Sequence, residues 1–283
     1  MRVYKSKMSL NQLKVSDERI KEITKELIIK SFKDWRANKE KKGITTEHFV
    51  LNRIAPNERL TSAVIQSLQT SLGTKFWQNL VNKLAKENGF TICNVKEFYK
   101  PKTKALDKLM NDWKSKRENF SKKVTLVGYK KELIRKIKKN KKKFSKIKKE
   151  KASKGDGLDV WIKKKNINYL FEIKSPHVNA GAGKDFSFKL MKMYHHHLFW
   201  NPSSKVFAKM AFPYNPFNVS YEAAQEGRIA PLLKKKDYLV AEEFWKFISG
   251  NDDCMKMLSE AIDEANTEAN LYEDISYFIS KYK

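Results

Sequence analysis

"GDGLDVWIKKKNINYLFEIKSP", residues Gly155 to Pro176, reads as a β-hairpin that gathers carboxylates and a lysine at one end. Two strand-like runs, Leu158 to Lys163 and Tyr169 to Lys174, flank a turn at Lys165-Asn166. With a two-residue turn Lys164 faces Ile167, and counting outward sets Asp159 opposite Glu172. Directly paired β-carbons lie only ~4.5–5.5 Å apart. Alternation then puts Asp159, Trp161 and Lys163 on one face beside Leu170, Glu172 and Lys174. The other face, Leu158, Val160, Ile162, Tyr169, Phe171 and Ile173, is wholly hydrophobic and is expected to be core.

Two carboxylates so close raise each other's pKa unless a cation sits between them. The chain around them is strongly basic, with 59 Lys and Arg against 32 Asp and Glu. An acid cluster would repel the polyanion that such a surface attracts, and a divalent metal is the natural compensation. Mg²⁺ takes one or two protein carboxylates and completes its octahedron with water and phosphate oxygens. It also lowers the pKa of a bound water toward neutrality. Lys174 is placed to orient that water or to neutralise charge developing on a phosphate. The bland alternative is a surface hairpin with a Glu172–Lys174 ion pair, which leaves Asp159 as a like-charge conflict. Asp156 competes for the role of first acid, but its odd offset from Asp159 turns it toward the opposite face of a continued strand.

The chain has 283 residues, 41% of them hydrophobic, which is enough to bury a sizeable core. Its formal charge of +27 points to a polyanionic partner, nucleic acid before anionic membrane. Cys93 and Cys254 fit no metal or redox spacing and read as buried thiols of a reducing cytoplasm. "MRVYKSKMSLNQLKVSDERIK" has no continuous apolar segment, so no secretory leader is expected. No run reaches the ~18 apolar residues of a membrane span. An intracellular protein without a membrane partner is therefore expected.

Ser16 to Ala37 carries helical periodicity broken by Gly43. Leu60, Val64, Leu68, Leu72, Phe76, Leu80 and Leu84 recur every four residues, predicting one long helix kinked at Gly73 and stopped at Asn88-Gly89. A short strand is expected within Phe90 to Val95. Arg135 to Lys154 holds twelve Lys or Arg and one Glu, including Lys141, Lys142 and Lys143. That stretch is either a folded helical arm or a loop that orders on nucleic acid. Lys184 to Phe199 reads as a helix, Lys205 to Phe212 as a strand, and Ala241 to Lys283 as two or more helices around Ser249-Gly250. The order implies an α/β fold with a mixed central sheet, flanking helices and helical N- and C-terminal additions.

His195-His196-His197 looks like a metal cluster, yet consecutive helical residues fan apart by about 100° each. Packing or DNA-facing roles are expected instead. Asn179 to Lys184 is small and flexible and opens a helix, so Asn179, Gly181 and Lys184 are candidates for a phosphate contact. His177 lies close enough to Lys174 in sequence to be an accessory residue.

Asp159, a spacer of twelve and then Glu172-Ile173-Lys174 resembles the PD-(D/E)xK nuclease superfamily, without its leading proline. "SPHVNAGAGKDFSFKLMKMY", "AKMAFPYNPF" and "EEFWKFISG" are similar to phrases of type II restriction endonucleases of the TdeIII-like group. The resemblance covers roughly residues 55–250. It implies a restriction-endonuclease-like core at 55–250 with a basic insertion at about 101–154, a helical region at 1–54 and another at 251–283. It also implies Mg²⁺-dependent cleavage of double-stranded DNA, with Asp159 and Glu172 as metal ligands and Lys174 assisting the attacking water. Many members add an acid from the helix before the sheet. The aligned residue here is Gln78, which brings no charge and puts a second fully occupied metal site in doubt. A homodimer would match a twofold DNA site, and a companion DNA methyltransferase would belong to the same system. The competing readings are a structure- or damage-directed repair nuclease and a non-catalytic basic DNA-binding protein.

Overall fold

The computed structural model describes residues 13–44, 51–119, 124–152 and 155–281. The first twelve residues, read above as lacking a leader, and Ser153-Lys154 of the basic stretch lie outside them. Helix α1 (Asp17–Lys42) starts at Ser16, whose hydroxyl accepts the Arg19 N–H, and stops at Gly43 with φ 74°. A short α2 (Leu51–Ile54) leads into α3 (Pro56–Ser71), a π-helical turn (Leu72–Phe76) and α4 (Trp77–Glu87). The expected single helix is thus continuous but widened at Gly73. Its hydrophobic spacing explains why. A strict four-residue repeat drifts about 40° per step around an ideal helix, and the wider π turn winds part of that drift back.

Five strands form the main sheet: β1 (Thr91–Ile92), β4 (Val160–Lys164), β5 (Ile167–Ile173), β6 (Lys205–Phe212) and β7 (Tyr238–Val240). The first two pairings in the order β1-β4-β5-β6-β7 are antiparallel and the last two parallel, so the sheet is mixed. A second, two-stranded sheet pairs β2 (Tyr99–Pro101) with β3 (Lys149–Lys151), bracketing the stretch read above as an insertion. Helices α5 (Lys104–Asn119), α6 (Leu126–Lys139) and the short α7 (Lys141–Phe144) lie within it. The chain crosses from β5 to β6 through α8 (Ala182–Trp200) and, after the short α9 (Tyr221–Ala224), ends in α10 (Ala241–Ser249), α11 (Cys254–Ala269) and α12 (Leu271–Lys281).

The sheet is sandwiched. Val160, Ile162, Tyr169, Phe171 and Ile173 bury against the N- and C-terminal helices. Leu170, Val206, Ala208, Met210 and Phe212 bury against α8 and the insertion helices. Two expectations change here. Leu158, read as part of the first face, lies in the second cluster because the strand proper starts only at Val160. The Glu172 face is likewise covered rather than open, and every residue of β5 is buried. Cys254 is buried as expected, but Cys93, beside the edge strand β1, is half-buried.

The insertion is a folded helical arm. Leu106, Tyr129, Leu133 and Ile137 are buried. Arg117, 1% exposed, donates to Ser187 Oγ (2.8 Å), Val124 O (2.8 Å), Pro231 O (3.1 Å) and Asp237 Oδ2 (3.3 Å), which bolts α5 to α8 and to the segment before β7. Lys141, Lys142 and Lys143 stay exposed at the end of the arm.

The three histidines of α8 pack in the core. His197 Nε2 lies 2.9 Å from Ser204 Oγ, and His196 stands against Phe98. Neither ring nitrogen of His195 is hydrogen-bonded. Burial lowers the three pKa values from 6.5 to about 4, about 3 and about 4 along the sequence. The unfolded chain therefore takes up protons that the fold refuses, so stability is full above about pH 6.5 and is lost as pH falls toward the folded values. Each ring costs about 2 kcal/mol by pH 5, at 1.36 kcal/mol per unit. Thermal melts from pH 7.5 to pH 5 should show a falling Tm, and His195→Phe should flatten the slope. An unchanged slope would show that His195 is protonated in the fold.

Candidate active site

The hairpin turn sets the strand pairing at the candidate site. Lys165 and Asn166 both take positive φ, 47° and 63°, as a two-residue turn between twisted strands requires. Lys164 pairs with Ile167 and Val160 with Phe171. The Asp159 N–H donates to Phe171 O at 3.1 Å, one place out of that register, so Asp159 and Val160 both face Phe171 in a β-bulge at the end of the ladder. The bulge displaces Asp159 from the place directly opposite Glu172 that the sequence reading gave it, yet the Glu172 charge still acts on it.

Asp159 is held by two donors. Its Oδ2 accepts the Ile173 N–H at 2.8 Å, and its Oδ1 accepts from Gln78 Nε2 at 2.6 Å. Gln78 follows the π turn directly, at the start of α4, so that widened turn positions it. Burial first, and then the Glu172 charge, push the Asp159 carboxyl above its usual range. Glu172 is 7% exposed. Its Oε1 meets Lys174 Nζ at 2.8 Å and its Oε2 meets Lys189 Nζ at 3.3 Å. The Lys174 side chain is 42% exposed and reaches solvent.

Other candidates separate from this centre or border it. Asp156 pairs with Lys192 at 2.7 Å, away from Asp159. His177 is exposed, packs edge-on to Phe217, and with Lys174, Gln69, Thr70 and Tyr214 lines a cleft of about 590 Å³ at the sheet end. Asn179, Gly181 and Lys184 are exposed. The backbone cradle expected there is already spent: the N–H groups of Ala182, Gly183 and Lys184 donate to Asn179 O, Arg228 O and Gly181 O. The exposed side chains of Asn179 and Lys184 are the groups there that face solvent. Close packing explains the glycine at 183, where a β-carbon would lie 2.2 Å from the Ile229 carbonyl carbon.

Sequence reasoning missed Lys189. The available signal was a lysine pair, Lys189 and Lys192, on a helix whose residues from Met193 to Phe199 are all buried. Two carboxylates within range of each other's charge suit a hard, oxygen-loving cation. Among the described residues no group of three or more His, Cys, Asp and Glu converges as a zinc-type site would.

The chain matches the family model "Type II restriction endonuclease, HinfI" over residues 11–266. It is also 24% identical over 212 residues to the type II restriction enzyme MjaII of Methanocaldococcus jannaschii. That alignment covers 69% of this chain and 52% of the relative, so the chain spans about half the length of that enzyme. The chain belongs to the HinfI family of type II restriction endonucleases. The finer TdeIII-like grouping rests on the quoted phrases alone.

The charge conflict at Asp159 has a measurable cost. In metal-free buffer Asp159→Asn should raise Tm by roughly 2–4 °C, the shift that about 1 kcal/mol gives in a large domain. The neutral amide still accepts from Ile173 N–H, and Gln78 can turn its own amide to match. A lowered Tm would show that the carboxylate is a net stabiliser.

Proposed function

We propose that this member of the HinfI family is a Mg²⁺-dependent, site-specific endodeoxyribonuclease whose active site is Asp159, Glu172 and Lys174. One observation carries the reading: at the end of the hairpin an unneutralised, raised-pKa aspartate feels the charge of a buried glutamate that is bonded to a solvent-reaching lysine. A structural ion pair accounts for Glu172 and Lys174 but not for Asp159, which functional sites commonly hold in such conflict.

Asp159 and Glu172 would hold the metal, which when bound supplies a water of lowered pKa and charge to offset the phosphate. Gln78 and the Ile173 N–H fix the Asp159 carboxylate in one orientation before metal arrives. Lys174 swings between Glu172 and the cleft, where it donates to the attacking water or to a phosphate oxygen. His177 borders the same cleft as an accessory contact. The exposed lysines 141–143 and Lys184 meet the DNA backbone, a binding term that weakens steeply with salt. In this reading residues 55–250 form the nuclease core, with the basic insertion at about 101–154 and helical regions at 1–54 and 251–283. The enzyme works in the cytoplasm as a homodimer on twofold sites and alongside a protective DNA methyltransferase. Among the described residues no helix is long and apolar enough to cross a membrane.

The test is a digest of long phage DNA with and without Mg²⁺. Discrete bands that vanish with EDTA, and a loss of cleavage in Asp159→Asn by roughly 10³-fold or more with DNA binding retained, are expected. A Mg²⁺-dependent smear would point to a repair-type nuclease. Intact but shifted DNA would point to a binding protein, and full cleavage by the Asp159→Asn protein would remove Asp159 from the site.

A further inference from the structure

Lys189 is held unlike any other lysine near the site. Its Nζ donates to Gly155 O at 2.6 Å and to Gly157 O at 2.5 Å, and it lies 3.3 Å from Glu172 Oε2. An ammonium has three protons and no acceptor, so these three oxygens saturate it. Its side chain is 13% exposed, against 42% for Lys174 on the other oxygen of the same carboxylate. One lysine can swing into the cleft, and the other is fixed in place.

Two backbone carbonyls and a carboxylate converging on one point make an all-oxygen donor set, the class that takes a hard cation. The chain fills that point with a cation of its own. Lys192, one turn further along α8, holds Asp156 Oδ1 at 2.7 Å, so the intervening residue of the Gly155–Gly157 loop is clamped as well. The loop's carbonyls are thereby kept aimed at Lys189. On the opposite side of the pair, Gln78 brings an amide where an acid would add charge for another ion.

We infer that the Lys189 ammonium is a resident cation occupying the second-cation position beside Glu172, so that the active site takes one divalent ion rather than two. This rests on the metal-nuclease reading of Asp159 and Glu172. Lys189 is a positioning residue: it holds Glu172 and the Gly155–Gly157 loop and touches neither water nor phosphate. Removing its charge while keeping its bulk should open the three oxygens to a second ion. Arginine, which keeps the charge, should leave the count unchanged.

The experiment counts Mn²⁺ by electron paramagnetic resonance on the full chain, scoring only ions that Glu172→Gln abolishes. One ion per wild-type chain, two in Lys189→Met and one in Lys189→Arg are expected. Two ions in the wild type overturn the inference without any variant, which keeps the test decisive if Lys189→Met does not fold. One ion in a folded Lys189→Met, shown by an unchanged circular-dichroism spectrum, overturns it as well and leaves Lys189 a plain loop clamp. No bound ion in the wild type instead defeats the metal-site reading on which the inference stands.

Discussion

The antiparallel register between β4 and β5 is the constraint on which the rest depends. A two-residue turn with both residues in the left-handed region leaves only one way to pair the strands. A slip of one residue would send Val160 and Ile162 into the space of α8 and aim Trp161 at the terminal helices. Because both faces of this sheet are packed, the penalty for slipping is taken twice. A bulge at the end of that register holds Asp159 where the Glu172 charge acts on it. The hydrophobic core therefore holds two like charges together that would otherwise move apart.

What gathers around those charges is a graded set of compensations. Gln78 and a backbone N–H steady Asp159 without neutralising it, while two lysines neutralise Glu172 from either side. The buried side chains give this arrangement its rigidity, and solvent access at Lys174 gives it a moving part. The arm beyond is secured separately, by Arg117 reaching four acceptors across three segments. Exposed lysines 141–143 are thus carried on a packed helix pair and presented in a defined place.

Legibility in sequence followed the range of the interaction. The hairpin and its register were readable because strand period and turn length are local properties, whereas the bulge at Asp159 left no mark in the alternation. Strand β6 was readable for the same reason, with Lys205 to Phe212 matching its observed bounds. Strand β1 falls within the short strand expected at Phe90 to Val95, whereas β7, three residues long, is too short to leave a period and forms because its neighbour offers an edge. Gln78 came from a resemblance and was then found on Asp159. Lys189 could not be read, because a lysine seventeen positions after Glu172 meets it only through the crossover that lays α8 on the sheet. The basic arm left two readings open because twelve cations in twenty residues hide the sparse apolar positions that fold it.

The π-helical turn at Leu72–Phe76 has a hereditary consequence. Such a turn holds one residue more than the α-helical path it replaces, and the surplus lies directly upstream of Gln78. Loss of one codon there would return the segment to an unbroken α-helix with both flanks close to register. Gln78 would stay on the side that meets Asp159, and Leu80 and Leu84 would stay in the core. A codon lost elsewhere in the same helix would instead turn everything beyond it by about 100°. Among descendants, this turn is where the helix should vary in length.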